Sequence, residues 1–523
     1  MFITGATGGI GLALARRLHE RGDRVLLHGR RSFAGLPDDV AALGPYCQAD
    51  LTDPSCHETV AGFLGAHGVE ALDVLVLNAA TGYYGSVAEQ PPDSIVEAIQ
   101  TNLAAPISLT HALLPRVERA GGRICFLSSI VSSLPSRNLA VYAATKAALE
   151  GFARNLRVET RGRVNVQIAR PGPTHTGMHE KAGLTREQMD WERFTPAGVA
   201  AARLERLLDS GSRARALGVG NQLLWTAGRA FPRLIDGAMR RRVAVRAASA
   251  SAGDGPRRCF VTGVADGIGR ALAHRFARAG YGVAGADIDA EKGERVMAEL
   301  RDMGVEAEFI HADLRDPGCV ERTIASLANG PPMDVIVHNA GVSAAGAFWK
   351  IPLEDQNSVL ALNLQAPLLL TAGLIREGRV KEDGALIFIA SLSCYVGYPG
   401  ATVYAAAKDG LAAYARALSI ALAPGRHVMT VYPGPVRTAH AERYSPDNSR
   451  AHRRMAPETL ASSIFNGLAR KRRVLVPGAT NRCVAALAHC WPGPFERMMR
   501  RTLFDKLAAS AESGGSQEHD SEE

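Results

Sequence analysis

The amino-acid sequence predicts an α/β protein built from two tandem domains, each a doubly wound parallel sheet with helices on both faces. Three observations carry this. The chain is written twice: "FITGATGGIGLALARRL" (Phe2 to Leu18) returns as "FVTGVADGIGRALAHRF" (Phe260 to Phe276). Apolar strands and helical patterns alternate through both copies, the rhythm of a parallel sheet covered by crossover helices. Each copy opens on a glycine-rich turn between a strand and an amphipathic helix.

A chain of 523 residues is too long for one ordinary core. The repeat continues in order. "VLVLNAA" (Val74 to Ala80) matches "VIVHNAG" (Val335 to Gly341), and the buried-strand patterns "ICFLSS" and "LIFIAS" follow. "VYAATKAAL" (Val141 to Leu149) then matches "VYAAAKDGL" (Val403 to Leu411), and "QIARPGP" matches "TVYPGP". The offset barely drifts: 258 at the first glycine, 261 at the Asn, 262 at the Tyr. Two copies of one fold explain this. Within the first, "LALARRLHERG" has helical spacing and ends at Gly22, and "RVLLHG" follows as the next strand. Crossovers of this kind are right-handed. The expected domains are 1–245 and 259–508. Between them lies a linker, 246–258, "RAASASAGDGPRR", small, polar and Gly/Pro-containing. The polar, acidic stretch 509–523 is expected to be a disordered tail.

Charged residues make up 21% and the AVILMFWYC set 46%, a globular composition. The formal charge of +8 is modest for this length. With no nucleic-acid motif beside it, it reads as solubility, and nucleic acid is not an expected partner. The eight cysteines form no C-x-x-C pair, so neither a metal site nor a disulfide framework is indicated, and reduced thiols in a cytoplasmic protein are expected. "MFITGATGG" puts glycines where a leader's apolar core belongs, and there is no run of about 18 apolar residues, so neither a signal peptide nor a membrane span is expected.

A glycine turn between strand and helix lets backbone N–H groups approach a pyrophosphate at the positive end of the helix. Gly5, Gly9 and Gly11 serve in the first copy, Gly263, Gly267 and Gly269 in the second. The end of the next strand meets the adenosine ribose. There the second copy carries Asp287, whose carboxylate accepts from both ribose hydroxyls and repels a 2′-phosphate, so this copy is expected to take NAD. The aligned residue of the first copy is Gly29, followed by Arg30 and Arg31. Two guanidiniums and no acid suit a 2′-phosphate, hence NADP.

Tyr142 and Lys146, and Tyr404 and Lys408, stand at i and i+4, which puts a phenol and an ammonium on one helix face. An unperturbed Tyr titrates near ~10. A nearby cation stabilises the phenolate and lowers that value, so the Tyr exchanges a proton with an alcohol or carbonyl as hydride moves. Thirteen residues before each Tyr stands a strand-end Ser, Ser129 and Ser391, able to hold the substrate oxygen. Upstream, "TNLAAP" carries Asn102 and "LNLQAP" carries Asn363.

This set resembles the short-chain dehydrogenase/reductase family of the TGxxxGxG type, over nearly all of both copies. The resemblance implies a Rossmann fold and the following roles. Tyr142 and Tyr404 are the acid/base residues. Lys146 and Lys408 bind the nicotinamide ribose and lower the Tyr pKa. Ser129 and Ser391 orient the substrate, and Asn102 and Asn363 support a water-linked proton relay. Asp50 with Leu51, and Asp313 with Leu314, match the adenine-contacting position. Asn78 with Ala79, and Asn339 with Ala340 and Gly341, match the NNAG motif that steadies the central sheet. Ile10 and Ile268 fall within the glycine loops. Pro171, Gly172 and Thr176, and Pro433, Gly434 and Thr438, match the segment that clasps the nicotinamide amide.

The first copy departs in two places. Only three residues precede its Thr-Gly, so either its first strand is truncated or the start lies upstream. It also reads Ala80 where Gly is usual, and the methyl is expected to crowd the cofactor. After Pro-Gly-Pro the copies diverge ("THTGMHEKAGLTREQMDWERFTP", "VRTAHAERYSPDNSRAHRRMAP"). This points to different substrates, or one substrate presented by different faces. They converge again at "FPRLIDGAMRRRV" and "WPGPFERMMRRTLF". That amphipathic pattern suits a cap on a lipophilic substrate, an anionic membrane surface, or packing against the domain or a partner subunit.

The expected activity is two-site, NAD(P)-dependent interconversion of small lipophilic alcohols and ketones, with the halves paired like a dimer within one chain. Opposite cofactors would also permit oxidation at one site and reduction at the other, inverting a carbinol centre. The alternative is one catalytic half beside a dinucleotide-binding scaffold or sensor.

Overall fold

The computed structural model describes residues 1–185, 191–243, 256–445, 447–449 and 451–507. Its contacts divide it into one unit of 1–86 with 93–236 and another of 87–92 with 237–523.

The first unit holds β1 (Phe2–Ile3), β2 (Leu26–Gly29), β3 (Tyr46–Gln48), β4 (Val74–Leu77), β5 (Arg123–Leu127), β6 (Asn165–Arg170), the short pair β7 (Thr174–His175) and β8 (Thr195–Pro196), and β9 (Ala214–Ala216). Seven of these form one sheet in the order β3-β2-β1-β4-β5-β6-β9, and every pairing is parallel. The strands read as apolar runs because both faces are covered by helices. Ile3, Leu27, Val76 and Cys125 fill one face against Leu14 and Leu18 of the helix Gly9–Glu20. The first strand is short, as its sequence implies: it pairs only Phe2 with Leu26 and Leu75, and Ile3 with Leu27 and Val76.

The second unit repeats the plan with β10 (Arg258–Thr262), β11 (Gly282–Asp287), β12 (Ala307–His311), β13 (Met333–His338), β14 (Val380–Ile389), β15 (His427–Val431) and β16 (Val474–Leu475). The order is β12-β11-β10-β13-β14-β15-β16. In both sheets the chain reverses its direction of travel between the first strand and the fourth, and that switch point opens a crevice at the carboxyl ends of the strands. Val261, Leu272, Phe276, Val337, Ile387 and Met429 build the core.

The expected linker ends inside a strand, since Arg258 already pairs with Gly282. Most of the rest of that linker, and the acidic tail from 509, lie outside the described residues. All eight cysteines are free. The helical stretch Leu353–Arg376 is long and apolar enough to cross a membrane, which the count of apolar runs did not anticipate. It is a core helix: Leu364, Leu368, Leu370 and Leu374 are fully buried. The Arg-rich segments near the end of each sequence copy are helical, and Phe231, Leu234 and Trp491 stand more than half exposed on them.

Candidate active sites

Each site begins at the turn after the first strand. Gly5 (φ +64°), Gly9 (+54°), Gly263 (+70°) and Gly267 (+55°) take the left-handed backbone that the tight turn requires. Gly11 and Gly269 are needed for a different reason: a Cβ on either would strike the carbonyl oxygen of Gly5 or Gly263. The turn is tied to the neighbouring strand by Thr4 and Thr262, functional residues outside the glycine pattern. Thr4 Oγ1 accepts from the main-chain N–H of Asn78 (2.9 Å) and Ala79 (3.1 Å). Thr262 Oγ1 does the same with Asn339 (3.0 Å) and Ala340 (3.1 Å). The Asn78 side chain donates to Thr4 O and Gly5 O, and Asn339 to Thr262 O and Gly263 O. These Asn residues therefore lock the glycine turn onto the sheet. Ile10 and Ile268 pack their helix starts on the core. Thr176 rests its methyl 3.0 Å from a Cβ built on Gly9, and Thr438 likewise at Gly267. Asn221 and Asn481 pack on Gly172 and Gly434, just after Pro171 and Pro433, so no side chain fits there. The result is a cradle that any Cβ would fill, and it fits a dinucleotide pyrophosphate.

The ribose ends differ between the halves. Asp287 accepts from the N–H of Ala265 (2.9 Å) and Asp289 (3.1 Å), which fixes its carboxylate at the strand end. At Gly29 no carboxylate fits: a Cβ there would lie 2.8 Å from Tyr46 Oη and 2.9 Å from Thr7 Cγ2. Arg30 and Arg31 are exposed, and Arg30 makes only a loose pair with Glu97 at 3.8 Å. At the adenine position, Asp50 turns on the N–H of Thr52, which holds its carboxyl below the usual range, and Asp313 is held low by Arg315. Leu51 and Leu314 are buried beside them.

The catalytic side chains converge as expected. Tyr142 and Lys146 share one face of the helix Ala140–Glu159, with Lys146 Nζ 5.7 Å from the phenol centroid. Tyr404 and Lys408, on Thr402–Ala421, repeat this at 5.8 Å. Ser129 and Ser391, just beyond β5 and β14, stand near enough to the respective phenols to favour their ionised form. Each Lys donates to the strand before its Ser: Lys146 to Leu127 O (2.8 Å), Lys408 to Ile389 O (2.9 Å).

Asn102 and Asn363 sit in π-helical turns, Gln100–Ala104 and Ala361–Gln365, inside otherwise α-helical rods. Such one-residue insertions gather at functional sites. Each Asn bridges one residue of the facing loop: Asn102 pairs with Thr81 N and O (both 2.8 Å), Asn363 with Val342 N (2.9 Å) and O (2.7 Å). A Cβ on Gly341 would meet Asn363 Oδ1 at 3.0 Å and Lys408 Nζ at 3.4 Å.

One expectation needs correction. The sequence has each Lys, together with the positive nicotinamide ring, pull its Tyr below the ordinary value, and the chain's own groups do not supply their share of that pull. In the structure burial dominates. It pushes Tyr142 up to about 12 against the opposing pull of the Ser129 hydroxyl, and it raises Tyr404 still further. The same burial lowers Lys146 to about 7 and Lys408 to about 8. Both phenols are thus protonated at neutral pH, the form that donates to a carbonyl.

The family model for short chain dehydrogenase matches residues 1–187 and again 257–449. The 1-deoxy-11-beta-hydroxypentalenate dehydrogenase of Streptomyces exfoliatus is 35% identical over 235 residues, covering 43% of this chain and 84% of that one. A cyclopentanol dehydrogenase from a Comamonas species is 30% identical over 199 residues, covering 37% and 78%. Among solved structures, a short-chain dehydrogenase from Sphingobium yanoikuyae in complex with NADPH is 26% identical, with TM-score 0.40 over 46% of this chain and 95% of that one.

Proposed function

Because this chain belongs to the short-chain dehydrogenase family, as a tandem of two family domains, it is an NAD(P)-dependent dehydrogenase/reductase, and we propose that both halves are working sites. The observation that carries this is the duplicated geometry. Ser, Tyr, Lys and Asn come together twice, with Lys-to-phenol distances of 5.7 and 5.8 Å.

A bound nicotinamide dinucleotide supplies or accepts the hydride. The chain does the rest. Ser129 or Ser391 holds the carbonyl oxygen, and the phenol of Tyr142 or Tyr404 donates the proton that turns it into a hydroxyl. In the reverse direction the phenolate takes that proton. Lys146 and Lys408 anchor the far side of the phenol, and Asn102 and Asn363 fix the loop that closes over them.

The first site is proposed to use NADP through Arg30 and Arg31, the second NAD through Asp287. The substrates are proposed to be lipophilic secondary alcohols and their ketones, the class to which the cyclopentanol of one relative's name belongs. We place the enzyme in the cytoplasm, with the halves paired as an internal dimer that crosslinking tests. Turnover of alicyclic alcohols and ketones with each cofactor tests the activity. Tyr142→Phe should remove the NADP-linked activity and Tyr404→Phe the NAD-linked one, each by roughly 100-fold or more. If either single variant removes both activities, there is one catalytic half and the other is a scaffold.

A further inference from the structure

We propose that Glu150 is a positioning residue of the first site: its buried carboxylate gathers the serines on either side of Ser129 and ties them to Arg170 and, through Trp225, to the helix Val219–Ala230.

Glu150 lies one turn beyond Lys146 on the same helix, with its side chain 15% exposed, and Arg170 is 6% exposed. Arg170 donates Nε to Oε1 and Nη2 to Oε2 at 2.8 Å each, a two-pronged pair. Ser128 Oγ donates to Oε1 at 2.7 Å. Ser132 Oγ lies 2.6 Å from Oε1 and 2.8 Å from Ser129 O, so its one proton is shared between the carboxylate and the backbone of the substrate-orienting residue. Trp225 Nε1 donates to Ser132 Oγ at 3.3 Å, and its ring lies 4.0 Å from the Arg170 guanidinium. Ser133 Oγ donates to Trp225 O at 3.0 Å. Arg170 is also the residue before Pro171, whose carbonyl accepts from Ile130 N at 3.2 Å. The Ser129 turn is therefore held from both sides by one buried charge pair.

Burial alone would raise the Glu150 carboxyl. Arg170 and the serine hydroxyls outweigh it and hold it below its ordinary value, so it stays ionised at working pH. The second half carries no charged side chain at the matching positions. Its counterparts are Ala390, Cys394, Ala412 and Tyr432, and the Tyr432 ring packs on Tyr395 at 5.1 Å. A Glu–Arg pair at these positions is thus particular to the first site.

The inference rests on the first half being a working site, and the test separates the two. The full chain carries Tyr404→Phe, leaving first-site turnover, and is compared with and without Glu150→Gln. Expected are a roughly tenfold lower kcat, an unchanged KM for NADPH, and an alcohol-oxidation limb shifted up by roughly one pH unit, as Tyr142 loses its well-placed Ser129 partner. With [13Cζ]tyrosine, the Tyr142 resonance should move to where Ser129→Ala puts it, a readout that needs no turnover. Ser132→Ala, which keeps the ion pair, should shift the same quantities by less and serves if Glu150→Gln does not fold. An unmoved resonance and an unmoved pH limb would overturn the proposal. No turnover in the Tyr404→Phe parent would instead refute the working first site, with the resonance still judging Glu150.

Discussion

Replacing Arg30 and Arg31 by Ala isolates the contribution of two guanidiniums to cofactor choice. The structure makes the perturbation clean. Both side chains are exposed, and Arg30 has only a 3.8 Å contact with Glu97, which contributes little to stability. Tyr46 Oη donates to the main-chain oxygen of Arg31, so truncating the side chain leaves that bond in place. A charge-assisted hydrogen bond to phosphate contributes about 1.5–3 kcal/mol, and exposure moves each of these toward the lower end. The pair together should supply about 3 kcal/mol, or roughly 100-fold in Kd. Calorimetric titration of the full chain should show one site preferring NADPH and one preferring NADH. In the double variant the NADPH site should weaken by that factor, and more steeply at low salt. NADH binding should be unchanged. If NADH weakens in parallel, the arginines act on the fold or the adenine, and the assignment of NADP to the first half is wrong.

The converse exchange should fail: Gly29→Asp is expected to bind neither cofactor, because Tyr46 and Thr7 already occupy the space of its Cβ, whereas Asp287→Gly should weaken NADH at the second site, both by titration. Gly269→Ala should abolish second-site binding outright, since its Cβ meets the Gly263 carbonyl, while first-site turnover persists. Alcohol oxidation at the first site should rise about tenfold per pH unit through pH 9, because its phenol sits near 12 and only the phenolate accepts the proton, and a plateau below pH 8 would contradict this. His338, held neutral by burial down to about 3, should destabilise the second unit in acid. Below pH 6.5 the unfolded chain takes up the proton and the native fold does not, so stability falls by about 1.4 kcal/mol per pH unit. His338→Leu, the residue of the first half at this position, should remove that loss, and melting temperatures at pH 7 and 5 check it.

The sequence carried the fold because two copies of one pattern constrain each other. The glycine turns, the i, i+4 Tyr–Lys pair and the Asn after the fourth strand are all local signals, and each falls where its motif puts it. What stayed hidden is non-local or registers as no change in pattern. Glu150 and Arg170 lie on a helix and a strand, 20 residues apart, and neither has a reason to be noticed until the chain folds. His28 reads in the sequence as a strand residue, yet it takes a hydrogen bond from Gly5 N at 3.4 Å, and burial lowers it to about 4. The Tyr pKa is not legible in the spacing, which shows a cation beside a phenol but not the water excluded from both. Gly29 illustrates the reverse: its missing acid was legible, but its crowding by Tyr46 depends on how β2 and β3 pair.

The π-helical turns at Asn102 and Asn363 make each site depend on a count. A residue inserted into a helical turn rotates everything beyond it by about 100° relative to everything before it. Restoring the plain helix by deleting one residue from 100–104 would swing Asn102 away from Thr81 while altering none of the side chains that matter. Around the Asn and the Leu that follows it, which both halves keep, the residues of these turns can be exchanged one for another, as Gln100, Thr101 and Ala104 against Ala361, Leu362 and Gln365 show. Loss or gain of a single position is another matter, and tolerance of substitution at these turns should coexist with intolerance of any change in length.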